Sequence, residues 1–488
     1  VDKKNKLIAI VGAANVLDDP KTLEAWSQDE SFVPARRPWF VVRPQNLEQV
    51  QALVQWANET RTPLVPVSSG APHFHGDTVP SVPEAVIVDL SGMNKIIKID
   101  RRNRMVYVEP GVTYAELAPA LAAEGLRIST PLKPRPNKSV MASLLERNPT
   151  QIPRLNFSLP EPLRALGVVW GTGDVAFTGD AGSGPLSLEA QWQKNLAQID
   201  PKGPNATDLM RLMTGAQGTM GIAAWASVRC ELLPSARSYH FLPAEKLESL
   251  VDFCHQLERD RLGDEVFVLN AAQAARLFAA SPDEIGSLQE ALPQWMVVVG
   301  ISGAAFYPEE RVAVQEKDLQ IMAQKFSLSL LPSLPGVTHA QVSQALYGCS
   351  QENYWKLAPK GGNQELFFLT TLDKAPGFVA TVQAIAAELK FPINDLGVYI
   401  QPQHQGVSQH VEFNLPYNPK CEKEVAKVKA IFEKASAALL ADGAYFSRPY
   451  GSWAAPVYNR DATAKHVLQV VKNILDPNNV MNPGKLCF

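Results

Sequence analysis

An α+β fold of two or more domains is predicted by three observations. The chain has 488 residues, more than one ordinary hydrophobic core organises. Up to Gly125 it reads, in order, as strand, helix, strand, glycine-containing loop, strands and helix. After Pro234 the texture changes to helices alternating with strands, the mark of a second α/β or α+β domain.

The elements follow from local pattern. Lys3-Lys-Asn-Lys6 and the apolar run Leu7–Ala14 have the outline of a secretory signal, but the segment reads as a helix packing on the first domain, with Asp18-Asp-Pro20 starting the next turn. That reading predicts a cytoplasmic protein, with a periplasmic one as the alternative. Trp39–Pro44 contains a short apolar strand. Asn46 then caps a helix whose Leu47, Val50, Leu53, Val54 and Ala57 fall on one face. The segment Val65–Asp77, VPVSSGAPHFHGD, is too broken by glycine and proline to be an element interior, so it is a tight loop. With few bulky side chains in the way, the backbone N–H groups of such a loop can converge on an anion such as a diphosphate; an ordinary connecting turn is the alternative.

Ala85–Leu90, Met93–Asp100 and Met105–Gly111 are strands, and Thr113-Tyr-Ala-Glu116 is a capping box opening a helix that Gly125 closes. Between Thr130 and Pro162 recurring prolines interrupt regular structure, leaving Ser139–Arg147 as a helical turn. The strand Leu166–Trp170 leads through the turn Gly171–Asp174. Thr178–Thr207 is then a long loop of the kind that serves as a lid, an interface or a disordered segment. The helix Asp208–Met213 and the turn Gly215–Gly221 feed a strand, Ile222–Leu232. Beyond Pro234 the clearest elements are a helix over Ala244–Leu257, a strand over Gln294–Ile301, and a strand–loop–strand over Val398–Phe413.

Composition removes several function classes. Hydrophobic residues make up 46% of the chain and charged ones 19%, as in soluble globular proteins. The net charge of -3 gives no basic footprint for nucleic acid. Five cysteines, scattered and never spaced as C-x-x-C, argue against a disulfide scaffold or a thiolate metal site. No apolar run approaches the ~20 residues that span a bilayer.

Five stretches, in order, carry a resemblance: Val86–Asp100, Val108–Thr113, Gly173–Gly179, Gly215–Ile222 and Leu475–Lys485. Together they resemble the vanillyl-alcohol oxidase and p-cresol methylhydroxylase family of FAD-dependent oxidoreductases over nearly the whole chain. The resemblance implies a two-lobed FAD-binding domain over residues 1–235, an α/β cap shaping the substrate cavity over 236–442, and a C-terminal segment, 443–488, returning to the FAD domain. It also implies that Val67, Ser68, Ser69, Gly70, Ala71, Pro72, His73, Gly76 and Asp77 bind FAD, with Ser139, Ser143, Gly218, Gly221, Ile222 and Lys485. The family's glycine-rich turn before the Ser-Val segment is replaced here by Pro136-Asn-Lys138.

For catalysis the resemblance points to Arg448, His75, His410 and Tyr450. Arg448 stands where the family's arginine binds the substrate's phenolate oxygen, and a guanidinium suits a planar or anionic oxygen group. Ser447 replaces the tyrosine beside it, and Tyr450 offers a nearby hydroxyl. His75 stands where the family has a second phenolate-binding tyrosine; hydrogen bonding within the loop is the alternative for His73 and His75. Pro72 stands where histidyl-flavin relatives carry the linking histidine, which closes that route unless His73 substitutes. His410 falls at or beside another covalent attachment point, and three roles fit it: a covalent FAD link, a substrate-facing imidazole, or a packed cap histidine. His404, His410 and Glu412 have the chemistry of metal ligands, but the Gly-Asp-Gly-Asn of the related glycolate and D-lactate dehydrogenases is absent, so no metal is expected.

The implied activity is an FAD-dependent dehydrogenase, rather than an oxidase, taking a hydride onto flavin N5 from an activated carbon of a small oxygenated substrate of the 4-alkylphenol or benzylic alcohol type. A 2-hydroxy-acid dehydrogenase and a non-catalytic electron-transfer flavoprotein subunit are the rivals. The implied partners are a protein electron acceptor (a cytochrome, an electron-transferring flavoprotein or an iron–sulfur protein) and further copies of the chain, as a dimer or larger.

Overall fold

In the computed structural model, which describes residues 2–155, 161–179, 187–194, 209–351 and 354–488, the chain before Pro234 builds two main sheets. The first joins β1 (Val16–Leu17), β2 (Phe40–Val42), β3 (Leu64–Val67) and β4 (Val86–Asp89) in the order β1-β2-β4-β3, with β2, β4 and β3 parallel. Three helices accompany it: α1 (Asp2–Val11), α2 (Pro20–Ala25) and α3 (Leu47–Thr60). Asn46 accepts from the Gln49 amide at 2.9 Å and caps α3 as its sequence predicts. Val50, Leu53, Val54 and Ala57 of α3 share a buried cluster with Leu7 and Val11 of α1, so the amino-terminal helix packs on this sheet.

The next strands are β5 (Ile96–Asp100), β6 (Met105–Val108), β7 (Leu126–Arg127), β8 (Leu163–Trp170), β9 (Val175–Gly179), β10 (Gly221–Arg229) and β11 (Glu231–Leu232). Five of them form an antiparallel sheet in the order β5-β6-β10-β8-β9, while β7 and β11 pair by themselves. Between lie α4 (Tyr114–Ala123), opened by the complete Thr113/Glu116 capping box, and α5 (Val140–Leu145), the one regular element among the described residues of the proline-rich stretch. The expected loop Thr178–Thr207 lies mostly outside the described residues, which include there a helix, Leu188–Gln193. Asp208 also lies outside them, and its helix is described from Met210 to Met213.

After Pro234 one antiparallel sheet dominates. It contains β12 (Ala236–Ala244), β13 (Glu265–Asn270), β14 (Trp295–Gly303), β15 (Gly362–Thr370), β16 (Gly397–Gln403) and β17 (Ser408–Tyr417) in the order β12-β14-β13-β16-β17-β15. The helix expected from Ala244 begins instead at Glu248. Pairing to β14, from Ala236 opposite Gly303 to Ala244 opposite Trp295, holds the preceding residues extended. Leu250, Phe253 and Leu257 of this helix are buried.

Alternation along β17 sets up the site. Val411, Phe413 and Leu415 point into a large buried cluster with Leu366 and Phe368 of β15. His410, Glu412 and Asn414 point the other way and are buried as well. Polar residues on a strand covered on both faces need partners, because an unpaired buried polar group is costly. Those partners come from the same sheet and from the segment before β15: Glu412 takes Lys356 and His410, and Asn414 accepts from Asn363 of β15 and donates to Glu412.

The last segment ties back to the first sheet. Met481 bridges Leu64, whose amide donates to Val480 O at 2.7 Å, and the buried Lys472 ammonium bonds Asp476 and the carbonyls of Thr219 and Met481. All five cysteines are free thiols. Among the described residues no helix is long and apolar enough to cross a membrane.

Candidate functional site

The loop after β3 is built as one wall of a long cleft. Asn137 staples it from the side: its carbonyl accepts from the Gly70 amide at 3.0 Å and its Nδ2 donates to Ala71 O at 2.6 Å. Arg135 donates to Gly70 O at 2.9 Å, and the Ser139 amide donates to Ser69 Oγ at 3.1 Å. The segment Arg135–Ser139 thus holds the loop with backbone and side-chain groups together. From beneath, Lys485 Nζ donates to the carbonyls of Gly76 and Val79 at 2.6 and 2.8 Å.

About 990 Å³ of empty space lies between this loop, the α5 region and the turn Gly215–Ala223. Val67, Ser68, Ser69, His73 and Asp77 line it, with Gly218, Gly221 and Ile222 opposite and Tyr450 at one end. Gly70, Ala71, Pro72 and Gly76 shape the loop from behind. Ser139 and Ser143 are spent inside the fold: Ser139 caps α5 and donates to Pro110 O at 2.5 Å, while Ser143 accepts from Asn148 at 3.2 Å.

Two features fit this cleft to a flat dinucleotide such as FAD. A Cβ on Gly218, at φ +72°, would stand 2.6 Å from Pro66 Cγ, so only glycine lets the turn close on the loop. His73, stacked on Trp26, is buried with Nε2 unpartnered. Burial, helped by the charge of Arg135, lowers its pKa to about 3, which keeps the ring neutral. Asp77 is also buried, and burial raises its pKa. The cleft therefore presents hydroxyls, backbone and the neutral His73 to a ligand, beside the charged Arg135, Lys138 and Glu146.

A second cavity of about 730 Å³ adjoins the cleft and shares Phe74, His75, Arg135, Lys138 and Glu146 with it. His75 stands at the junction, stacked on Tyr450 with ring centroids 4.5 Å apart. Arg448, 5% exposed, donates to Asn148 Oδ1 at 2.8 Å and lies 4.0 Å from the centroid of the Phe367 ring. Among the described residues no carboxylate lies within ion-pair reach of Arg448 or of Arg135. Lys138, by contrast, is neutralised by Glu146 at 2.6 Å.

The opposite wall is the polar face of β15 and β17. Lys356 Nζ sits 2.7 Å from Glu365 Oε1 and 2.5 Å from Glu412 Oε1. Glu365 Oε2 lies 3.6 Å from His75 Nε2, an electrostatic contact rather than a hydrogen bond, and Glu412 Oε2 lies 3.3 Å from His410 Nε2. Burial works to raise the pKa of both carboxyls, but the Lys356 ammonium outweighs it and both are held below the usual range. Burial lowers the pKa of His410, against the pull of Glu412.

Of the catalytic residues named from sequence, Arg448 lines this cavity, Tyr450 lines the cleft, and His75 lines both. His410 packs behind, between Glu412, Phe367 and Tyr399, and lines neither. His404 lies in the turn joining β16 to β17, at φ 49°. Among the described residues no three His, Cys, Asp or Glu side chains group as a metal site. Sequence reading passed over Glu365, Lys356, Arg135, Asn148 and the Lys138–Glu146 pair. One signal existed: Glu365 interrupts the strand Gly362–Thr370, which otherwise ends in Leu-Phe-Phe-Leu.

Comparison with known proteins agrees with this geometry. The FAD binding domain family matches residues 38–147. D-2-hydroxyglutarate dehydrogenase of Stutzerimonas stutzeri (strain A1501) is 24% identical over 99% of this chain and 98% of its own. D-lactate dehydrogenase of Anaerostipes hadrus is 22% identical over 98% and 96%. The flavoprotein subunit of 4-cresol dehydrogenase [hydroxylating] from Pseudomonas putida is 36% identical, over 23% of this chain and 22% of its own. Among solved structures, substrate-bound p-cresol methylhydroxylase superposes with a TM-score of 0.82 at 19% identity, covering 100% of this chain and 96% of its own. The isoeugenol complex of 4-ethylphenol oxidase from Gulosibacter chungangensis gives 0.81 at 17% identity, over 99% and 96%.

Proposed function

We propose, for a chain that belongs to the FAD-dependent oxidoreductases of the p-cresol methylhydroxylase type, that it is a dehydrogenase acting on a small 2-hydroxy acid. FAD, when bound, supplies the hydride acceptor. The observation that carries the substrate reading is Arg448. Among the described residues this buried guanidinium hydrogen-bonds the neutral Asn148 and faces an aromatic ring, with Glu146 acting on it beyond ion-pair distance, so an anionic ligand adds a direct counter-charge, and its fork of donors suits a carboxylate.

In this reading Arg448 holds the acid group, and Arg135 adds positive potential where cavity and cleft meet. The substrate's reacting carbon then faces the cleft near His75. His75 accepts the proton of the hydroxyl on that carbon as its C–H bond breaks. Tyr450, stacked on the imidazole, fixes the ring plane, and the buried walls exclude water. Full-length likeness to D-2-hydroxyglutarate and D-lactate dehydrogenases supports an acid substrate. Electrons leave for a second protein, consistent with a relative that is itself one subunit of a complex.

A phenol or benzylic alcohol is the second reading, favoured by the rings of Phe74, Tyr354, Trp355 and Tyr399 around the same cavity. There Arg448 would hold the phenolate. Anaerobic titration of the FAD-loaded protein with 2-hydroxy acids, alkylphenols and benzylic alcohols separates the two. Bleaching of the flavin spectrum by hydroxy acids alone is the expected result, and bleaching by phenols alone overturns the first reading in favour of the second. Acid precipitation of the same sample tests covalent attachment of FAD: colour left in the pellet would demonstrate a bond, and loss of that colour in His410→Ala would place it at His410, which lines neither cleft nor cavity here.

A further inference from the structure

Five side chains follow one another across the wall of β15 and β17, His75, Glu365, Lys356, Glu412 and His410, the last three buried and the first two partly so. Lys356 is the centre. Its ammonium takes one oxygen from each carboxylate, at 2.7 and 2.5 Å, and each carboxylate turns its other oxygen to an imidazole Nε2, at 3.6 and 3.3 Å. One arm ends at the junction of cleft and cavity, and the other ends in the core.

Both carboxylates come from the sheet, but Lys356 comes from the turn ahead of β15, so its reach into the sheet is a feature of that turn alone. Two carboxylates gripping one nitrogen are too close to ionise together without a cation between them. Lys356 also faces Trp355 and the phenols of Tyr354 and Tyr399, and across the cavity lie Arg135 and Arg448. Glu146 and Asp77 also act on His75 electrostatically, but among the described residues Glu365 is the carboxylate within ion-pair distance of it.

We propose that Lys356 is a positioning residue for the reaction: by fixing Glu365 and Glu412 as an ionised, oriented pair it keeps a carboxylate directed at Nε2 of His75, and so sets that imidazole in the orientation that accepts the substrate's proton. The inference rests on the reading of His75 as proton acceptor. An imidazole oriented and charge-stabilised by a carboxylate is the better base, as the proton it gains is met by a fixed negative charge. Removal of the ammonium leaves two facing carboxylates that share a proton. Glu365 then spends part of its time neutral and free to rotate.

The experiment uses FAD-loaded full-length protein with Lys356→Met, Lys356→Arg, Glu365→Gln and His75→Asn. Infrared difference titration reads the carboxyl groups without turnover, and anaerobic stopped-flow gives kcat and KM against pH. For Lys356→Met the expected result is a new protonated-carboxyl band near neutral pH, a fall in kcat of about tenfold or more with a smaller change in KM, and a changed acidic limb of the pH profile. Lys356→Arg is expected to abolish the new band and recover part of kcat. Glu365→Gln leaves Lys356 and Glu412 as a balanced pair; it serves where Lys356→Met does not fold and is expected to show the same loss of kcat. Wild-type kcat and pH profile in either Lys356→Met or Glu365→Gln overturns the proposal, with or without the infrared band. A fully active His75→Asn protein overturns the reading beneath it, whereas an inactive one beside an unimpaired Lys356→Met removes only the role of Lys356.

Discussion

Tyr450 lies flat on His75, with ring centroids 4.5 Å apart and planes 18° apart, so the last segment of the chain and the loop after β3 meet as one surface where the cleft opens into the cavity. Stacking of this kind contributes about 0.5–1.5 kcal/mol beyond the area it buries. His75→Asn keeps a polar side chain of smaller reach. Its expected effect is a fall in kcat of about 10²–10⁴-fold, the usual worth of a general base. FAD content should stay near that of the wild type, since the loop is held by Asn137, Arg135 and Lys485 rather than by His75. The check is single-turnover flavin reduction alongside the FAD-to-protein ratio, and unchanged reduction would remove His75 from the chemistry.

Arg448→Lys tests the anion anchor without removing its charge. A lysine cannot reproduce the planar fork, and kcat/KM for the reactive acid is expected to drop about 10-fold to 100-fold, as for the loss of a charge-assisted bidentate contact. Arg448→Met should cost more. Neutral alcohols of similar size are expected to show little difference between the variants. Equal losses for acids and neutral alcohols would mean that Arg448 supports the fold, through Asn148 and Phe367, rather than the substrate.

Much of the fold was legible because its signals are local. Asn46, Thr113 and Glu116 announced their helix starts, and the broken segment Val65–Asp77 announced its loop, since capping and turn chemistry act within a few residues. The start of the helix at Glu248 was not legible. Ala244 belongs to a strand only because Trp295 pairs with it from fifty-odd residues away, a tertiary effect that propensity does not carry. The site divides the same way. Arg448 and His75 sit in short motifs, whereas Lys356 and Glu365 alone read as ordinary surface charges and become a unit with Glu412 only when three separate segments meet.

Gly218→Ala probes the fit of the cleft to its cofactor. The residue has φ +72°, and an added Cβ would stand 2.6 Å from Pro66 Cγ, in the strand that leads into the loop. A left-handed non-glycine residue costs about 1–3 kcal/mol, which the turn can relieve only by backing away from Pro66. FAD affinity is expected to weaken by about tenfold or more, with the apoprotein folded. Fluorescence titration of apoprotein with FAD provides the check. Unchanged affinity would mean that the turn does not press on the bound cofactor.

Glu258 gives the cap a pH dependence that is independent of the chemistry. It lies buried beneath the turn joining β16 and β17, with Oε1 unpartnered and Oε2 3.4 Å from Gln409 Nε2. A Cβ on Gly406 in that turn would stand 1.8 Å from Glu258 Oε2, so the turn leaves no room for the carboxylate to move out. Burial pushes its pKa up to about 7, while the unfolded chain returns it to ~4.3. Between those values the folded protein holds a proton that the unfolded one has released. Stability from this group is therefore fullest below ~4.3 and falls as pH rises toward the folded value, by on the order of 1–3 kcal/mol in all. Glu258→Gln fixes the neutral form. It is expected to melt several degrees above wild type at about pH 8, with the gap closing by about pH 5. Thermal melts of both proteins across that range decide it, and a gap that stayed constant with pH would show that the carboxyl of Glu258 does not titrate there.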